Sequence, residues 1–139
     1  MKRYEISAFA KAGYSSKHNI GYWTQRPFIG FGPSACSYWN GSRFRNIAHL
    51  NRYAQMLDRG ELPTDFTETL SPLEHLKESL AIHLRLLQGI PLQTWPLKIQ
   101  EGLSHLENAG LLEKQGAFLR LTPKGLLFHD TVAEEIMGI

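Results

Sequence analysis

A single cysteine, Cys36, stands among 139 residues. One thiol makes no intramolecular disulfide and does not supply a zinc or iron–sulfur site, which needs several ligands. A function resting on a metal cluster held by this chain alone is therefore excluded. Long apolar runs are also missing: none approaches the ~20 residues that a helix needs to cross a bilayer. Met1-Lys2-Arg3-Tyr4-Glu5 has charge but no apolar segment after it, so no signal peptide is expected and a cytoplasmic setting is. Charge of one sign is scarce, with 15 Lys and Arg against 13 Asp and Glu for a net +2. That balance, with 42% hydrophobic residues, argues against wholesale disorder. The length suits one compact domain, or a small one with an appendage, able to bury roughly 70% of its unfolded surface. There are no internal repeats or low-complexity tracts.

The charge is unevenly spread. Residues 1–71 carry nine basic and five acidic side chains, or +4, and residues 72–139 carry six and eight, or −2. The patterning changes in the same region. Tyr4, Ile6 and Ala8 alternate within 2–10, as in a strand. Residues 11–27, rich in Gly, Ser, Asn and Pro, read as a long loop, unusual in a compact domain unless it binds something. Phe28-Ile29-Gly30-Phe31-Gly32 reads as a short strand ended by Pro33, and Asn40-Gly41 predicts a hairpin between 37–39 and 43–45. Asn46 is placed to cap a helix over about 47–59, with Leu50, Tyr53 and Leu57 on one face and Gly60 at its end. A polar, partly extended stretch follows over 61–70.

From there the chain reads as helical. Ser71-Pro72-Leu73-Glu74 forms a capping box with proline at the first helical position. Leu73, Leu76, Leu80, Leu84 and Leu87 then make a stripe running to Gly89. A helix over about 98–109 turns Ile99, Leu103 and Leu106 inward and stops at Gly110. Residues 111–114 and 117–121 read as a hairpin, and Thr122-Pro123 as the cap of a last helix reaching Ile136. Helix, short helix, helix, hairpin, helix is the order of a winged-helix module. The fold class expected is α+β.

His18-Asn19-Ile20-Gly21-Tyr22-Trp23 is the densest group of functional side chains. A neutral imidazole ligates haem iron, and Tyr and Trp offer flat faces to a porphyrin or another ring. The plainer alternative is a loop whose aromatics pack down while His18 and Asn19 satisfy backbone groups. Gly30-x-Gly32 is a poor phosphate cradle, since Pro33 follows and no helix does; it fits a place where backbone passes close to a ligand or a second strand. The six histidines lack metal-ligand spacing: His75 and His83 stand roughly 80° out of phase on a helix, and none pair at i, i+4. Nucleophile signatures are absent, so no catalytic residue is assigned. DNA binding needs a basic face, whereas the helix bearing Lys98 also carries Glu101 and Glu107. A protein-docking or lid role suits the module better, and no nucleic-acid partner is expected.

Several motifs occur in a telling order. They are Tyr4-Glu5-Ile6-Ser7-Ala8-Phe9-Ala10, His18-Asn19-x-x-Tyr22-Trp23 and Gly30-x-Gly32-Pro33-x-Ala35-x-Ser37-Tyr38, then Leu70-Ser71-Pro72-x-Glu74 and Leu119-Arg120-Leu121-Thr122-Pro123-Lys124-Gly125. Together they resemble the latter part of the oxygen-independent coproporphyrinogen III oxidase family, above all its haem-chaperone, HemW-like branch. The resemblance covers nearly the whole chain. It implies a β-rich remnant of a radical S-adenosylmethionine (β/α) barrel at 1–45, a connecting helix and linker at 46–70, and a HemN C-terminal-type winged-helix domain at 71–139. It implies haem or porphyrin contact by His18, Asn19, Tyr22 and Trp23, with haem iron on His18, and a cofactor-side position for Gly30, Gly32 and Ala35. Cys36 departs from the family pattern, standing where a histidine is usual between Ala and Ser.

The family's [4Fe–4S] cluster and S-adenosylmethionine require three cysteine thiolates, so this chain is expected to hold neither and to have no radical activity by itself. As partners the resemblance implies haem or porphyrin, and a separate barrel chain or self-association through open sheet edges. Two rival readings stand beside the haem-chaperone one: half of a split coproporphyrinogen III dehydrogenase, and a winged-helix module for protein or DNA interaction.

Overall fold

The structure is a computed structural model that describes residues 1–139, the side chain of Thr94 excepted. The chain is mixed α and β, with three small antiparallel sheets. It forms two compact units, Met1–Arg26 together with Leu76–Ile139, and Pro27–His75.

The first unit opens with β1 (Lys2–Glu5) and β2 (Ala8–Ala10), paired as a hairpin. The single strand expected over 2–10 is thus folded back on itself. The cause is Glu5, whose Oε1 accepts hydrogen bonds from the Ser7 amide (3.1 Å) and hydroxyl (2.8 Å), closing a turn at Ile6-Ser7. Backbone bonds from Ile6 N to Arg85 O (3.0 Å) and from Leu87 N to Tyr4 O (3.1 Å) tie the hairpin to the segment after α3. The expected loop at 11–27 contains a helix, α1 (Lys17–Trp23). Its composition concealed a cap: the Ser16 hydroxyl accepts from the Asn19 amide at 3.2 Å, satisfying one of the donors a helix start leaves orphaned.

α3 (Pro72–His83) begins on its expected capping box. Ser71 N donates to Glu74 Oε2 at 2.8 Å and Glu74 N to Ser71 Oγ at 3.3 Å. The helix ends at His83 rather than Gly89, and turns carry the chain into β6 (Ile90–Pro91). Gly89 has φ +77°, and a methyl group there would collide with the Leu119 carbonyl, so the strand pairing of Ile90 with Leu119 depends on glycine. A short 3-10 turn at Leu92–Thr94 precedes α4 (Leu97–Gly102) and α5 (Ser104–Asn108). The single helix expected over 98–109 is broken at Leu103. Its inward side chains are as expected, with Ile99, Leu103 and Leu106 all buried.

β7 (Leu112–Gln115) and β8 (Phe118–Leu121) form the anticipated hairpin, and β6 joins it to give the order β6-β8-β7. The final helix, α6, runs His129–Gly138 and starts later than Thr122-Pro123 suggested. Thr122 caps only a local turn, its Oγ1 accepting from Gly125 N at 2.9 Å. Fourteen side chains make the core, among them Leu80, Leu84, Leu106, Leu119, Val132 and Ile136. Removing this much apolar surface from water is the main drive for the unit to fold.

The second unit is a three-stranded sheet, β3 (Cys36–Trp39), β4 (Ser42–Asn46) and β5 (Thr64–Thr69), with α2 (Leu50–Asp58) between the last two strands. The hairpin turn is where Asn40-Gly41 put it, with φ +50° and +76°, as the mirror-image turns of hairpins require. No strand forms over 28–32; Phe28 makes one isolated bridge to Tyr38. Asn46 does not cap α2. It ends β4, and its buried side chain donates to the carbonyls of Gly32 (3.0 Å) and Gly30 (3.4 Å). The cap is His49, whose Nδ1 accepts from Arg52 N at 3.3 Å. The expected inner face of α2 is largely open, with Leu50 66% and Leu57 48% exposed.

Candidate functional site

The candidate residues fall into both units. His18, Asn19, Tyr22 and Trp23 lie on α1 in the first, and Gly30, Gly32 and Ala35 lie in the loop before β3 in the second. Helical spacing sorts the first group by face. His18 and Tyr22, four apart, meet edge to face with ring centroids 4.8 Å apart. His18 is exposed, and its ring nitrogens have no hydrogen-bond partner among the described residues. The Asn19 amide is used by the cap.

Trp23 turns the other way. Its ring lies under the Arg85 guanidinium, 4.3 Å from Cζ to the ring centroid, a cation–π contact of about 0.5–2 kcal/mol depending on desolvation. Arg85 in turn faces Glu5, with 3.5 Å between Nη2 and Oε2, and Nη2 donates to Ser7 Oγ at 3.4 Å. Glu5 is only 1% exposed, a position a carboxylate tolerates only with a cation beside it. Three buried polar atoms of this cluster, Glu5 Oε2, Arg85 Nε and Trp23 Nε1, lack a hydrogen bond. Gly21 is buried on the same helix, and a methyl group there would meet the Arg26 guanidinium at 2.6 Å. A cavity of about 390 Å³ lies on the Ile20 side of α1, against Tyr4, Leu86 and Leu87. Ile20 and His18 are two residues apart, about 200° around the helix, so the imidazole faces away from it.

The glycine loop is built by its own hydrogen bonds. Gly30 N donates to Ser37 Oγ at 3.0 Å, and Gly32 N to Tyr53 OH at 3.2 Å. A methyl group on Gly30 would strike the Cys36 carbonyl, and Gly32 has φ +100°. Ala35 bonds through its backbone to Gly32 O and Asn46 N. Local geometry is thus sufficient cause for these residue types. Cys36 is an exposed free thiol, and no set of three His, Cys, Asp or Glu suited to a metal ion occurs among the described residues. Nor is any described helix long and apolar enough to cross a membrane.

Reasoning from sequence missed Glu5 and Arg85. A signal for the second was present: Arg85 is the sole Lys, Arg, Asp or Glu between Glu78 and Lys98, and a lone charge in an apolar stretch implies a buried partner.

Residues 70–128 match the family model of the HemN C-terminal domain. Over nearly its whole length the chain is also related to the heme chaperone HemW. It is 33% identical to HemW of Mycobacterium tuberculosis over 135 residues, which is 97% of this chain and 35% of that protein. With HemW of Bacillus subtilis it shares 29% over 144 residues, 98% of this chain and 38% of the relative. It therefore spans just over a third of the length of these curated relatives. The coproporphyrinogen III oxidase HemN from Escherichia coli, a radical SAM enzyme, shares the fold with a TM-score of 0.60 at 18% identity, over 79% of this chain and 28% of that one.

Proposed function

We propose that this chain contributes to haem or porphyrin binding in a HemW-like protein, with His18 as the iron ligand. The observation that carries the reading is the imidazole on α1: exposed, edge to face with Tyr22 at 4.8 Å, and with neither nitrogen hydrogen-bonded among the described residues. A neutral imidazole so placed is free to ligate, and Tyr22 supplies an aromatic wall beside it. The residues thus fit the group. Haem, if bound, would supply an iron, and His18 would hold it through an imidazole nitrogen. The Trp23 side of α1 is packed away and serves to hold the helix.

A [4Fe–4S] cluster and S-adenosylmethionine do not fit this chain, because a cluster with one open iron takes three thiolates and Cys36 is the single cysteine. Relatives covering nearly the whole chain are named as chaperones, which favours trafficking over half of an oxidase. In this reading 71–139 is a winged-helix-like module, supported by the sheet order β6-β8-β7 among short helices. Residues 46–70 are its connection and 1–45 strands of barrel origin. The compact units cut across the last of these, since β1 and β2 share a unit with the C-terminal helices. Gly30, Gly32 and Ala35 keep a cofactor-side role by resemblance alone. A cytoplasmic setting and pairing with a barrel chain belong to the same reading.

The test is titration of the full chain with ferric haem. Wild type is expected to develop a Soret band distinct from free haem, and His18→Ala to lose it. Identical spectra for the two proteins would remove His18 from the site.

A further inference from the structure

We propose that Arg85 is the positioning residue of the His18 helix: backed by Glu5, its guanidinium clamps the Trp23 ring and fixes the rotation at which α1 presents His18. The functional half of this proposal rests on the haem reading above; the structural half does not.

α1 is seven residues long, too short to be stable by itself in water. What holds it must come from outside the helix. On one side His18 is exposed and meets the half-buried Tyr22. Its other face offers Trp23, and the group on that ring is Arg85, 4.3 Å from the centroid. The guanidinium is not free to drift. Glu5, 1% exposed, stands 3.5 Å from it, and Ser7 bonds both Glu5 Oε1 (2.8 Å) and Arg85 Nη2 (3.4 Å). Glu5 and Arg85 are themselves fixed by main chain, through Ile6 N to Arg85 O and Leu87 N to Tyr4 O. The chain of contacts therefore runs from the rigid β1 edge and the 85–87 segment, through one planar cation, onto one ring. Trp23 is five residues from His18, about 140° around the helix. Holding its ring flat sets the rotation of α1 and leaves the imidazole on the solvent side. A planar cation suits this place, since it stacks on indole while its edge pairs with a carboxylate.

The test uses the full chain with Arg85→Met, Arg85→Lys and Glu5→Gln. Without haem, amide hydrogen exchange at Ile20–Thr24 is expected to quicken about tenfold in Arg85→Met while Leu119 and Leu121 keep their protection. Arg85→Lys, which retains a cation over the ring, is expected to recover part of the loss. In haem titrations Arg85→Met is expected to bind several-fold more weakly with a displaced Soret band, and Arg85→Lys to return toward wild type. Unchanged α1 exchange overturns the proposal, as does a loss of protection shared equally by the core. If Arg85→Met does not fold, Glu5→Gln and Arg85→Lys carry the same comparison. Wild type that binds no haem sinks the haem reading but leaves the exchange result decisive for the clamp. Normal haem binding by Arg85→Met, where His18→Ala loses it, overturns the positioning role.

Discussion

The two units of this chain are held together by different physics. Leu76–Ile139 contains fifteen leucines and Pro27–His75 five, and all fourteen core side chains belong to the first unit. In the second unit the buried residues are Pro63 and two polar ones: Ser37, bonded to Gly30 N, and Asn46, bonded to two carbonyls. The sheet adds its backbone ladder and exposed ion pairs, Arg43 with Glu68 at 2.5 Å and Arg45 with Asp65 at 3.2 Å. Such pairs contribute only about 0.2–1 kcal/mol each. The lesson is that regular secondary structure and a packed core are separable: β3-β4-β5 pairs along its strands, with one register shift at Arg45-Asn46, without such a core.

Leucine truncation sharpens this contrast most. Leu106→Ala, which opens a hole beside Leu103 and Leu111, is expected to cost about 2–5 kcal/mol. Leu57→Ala, on the open face of α2, is expected to cost within about 0.5 kcal/mol. Urea denaturation of the full chain measures both, and equal costs would break the comparison. Next in size is the junction, where α3 starts. Ser71→Ala removes the cap bond to Glu74 N and is expected to cost about 1 kcal/mol, readable as a fall in urea midpoint.

The smallest effect is electrostatic. Burial in the packed unit lowers the pKa of His83 below 6.5, so the folded state disfavours its proton. The unfolded chain then binds more protons as pH drops below 6.5, and stability falls with it, levelling once the folded form also titrates. His83→Gln should flatten that limb between pH 7 and 5. An unchanged slope would mean that His83 is as solvated as a surface histidine.

How much was readable beforehand tracks the same division. Apolar spacing located Leu80 and Leu84, then Ile99, Leu103 and Leu106, because burial on one helix face leaves a period in the sequence; Leu73, at the head of the expected stripe, is 53% exposed. The Asn40-Gly41 hairpin and the Ser71–Glu74 box were legible because their chemistry is local. Asn46 misled: an Asn before a helix reads as a cap, yet its amide was taken by the Gly30 and Gly32 carbonyls. α1 was hidden because Ser16, Asn19 and Gly21 are loop residues by composition. Of the candidate site, His18 and its neighbours could be named from a motif. That His18 is exposed beside Tyr22 while Trp23 packs under Arg85 could not.

The sequence by itself determined the buried leucines around Leu80 and Leu106, the hairpin turns at Asn40-Gly41 and around Gly116, and that one thiol cannot hold an iron–sulfur cluster. These follow from residue types and short-range periodicity. Only the tertiary structure decided that Glu5 and Arg85, 80 residues apart, meet over Trp23. A buried charge pair has no period, and its partner is set by how the chain returns on itself.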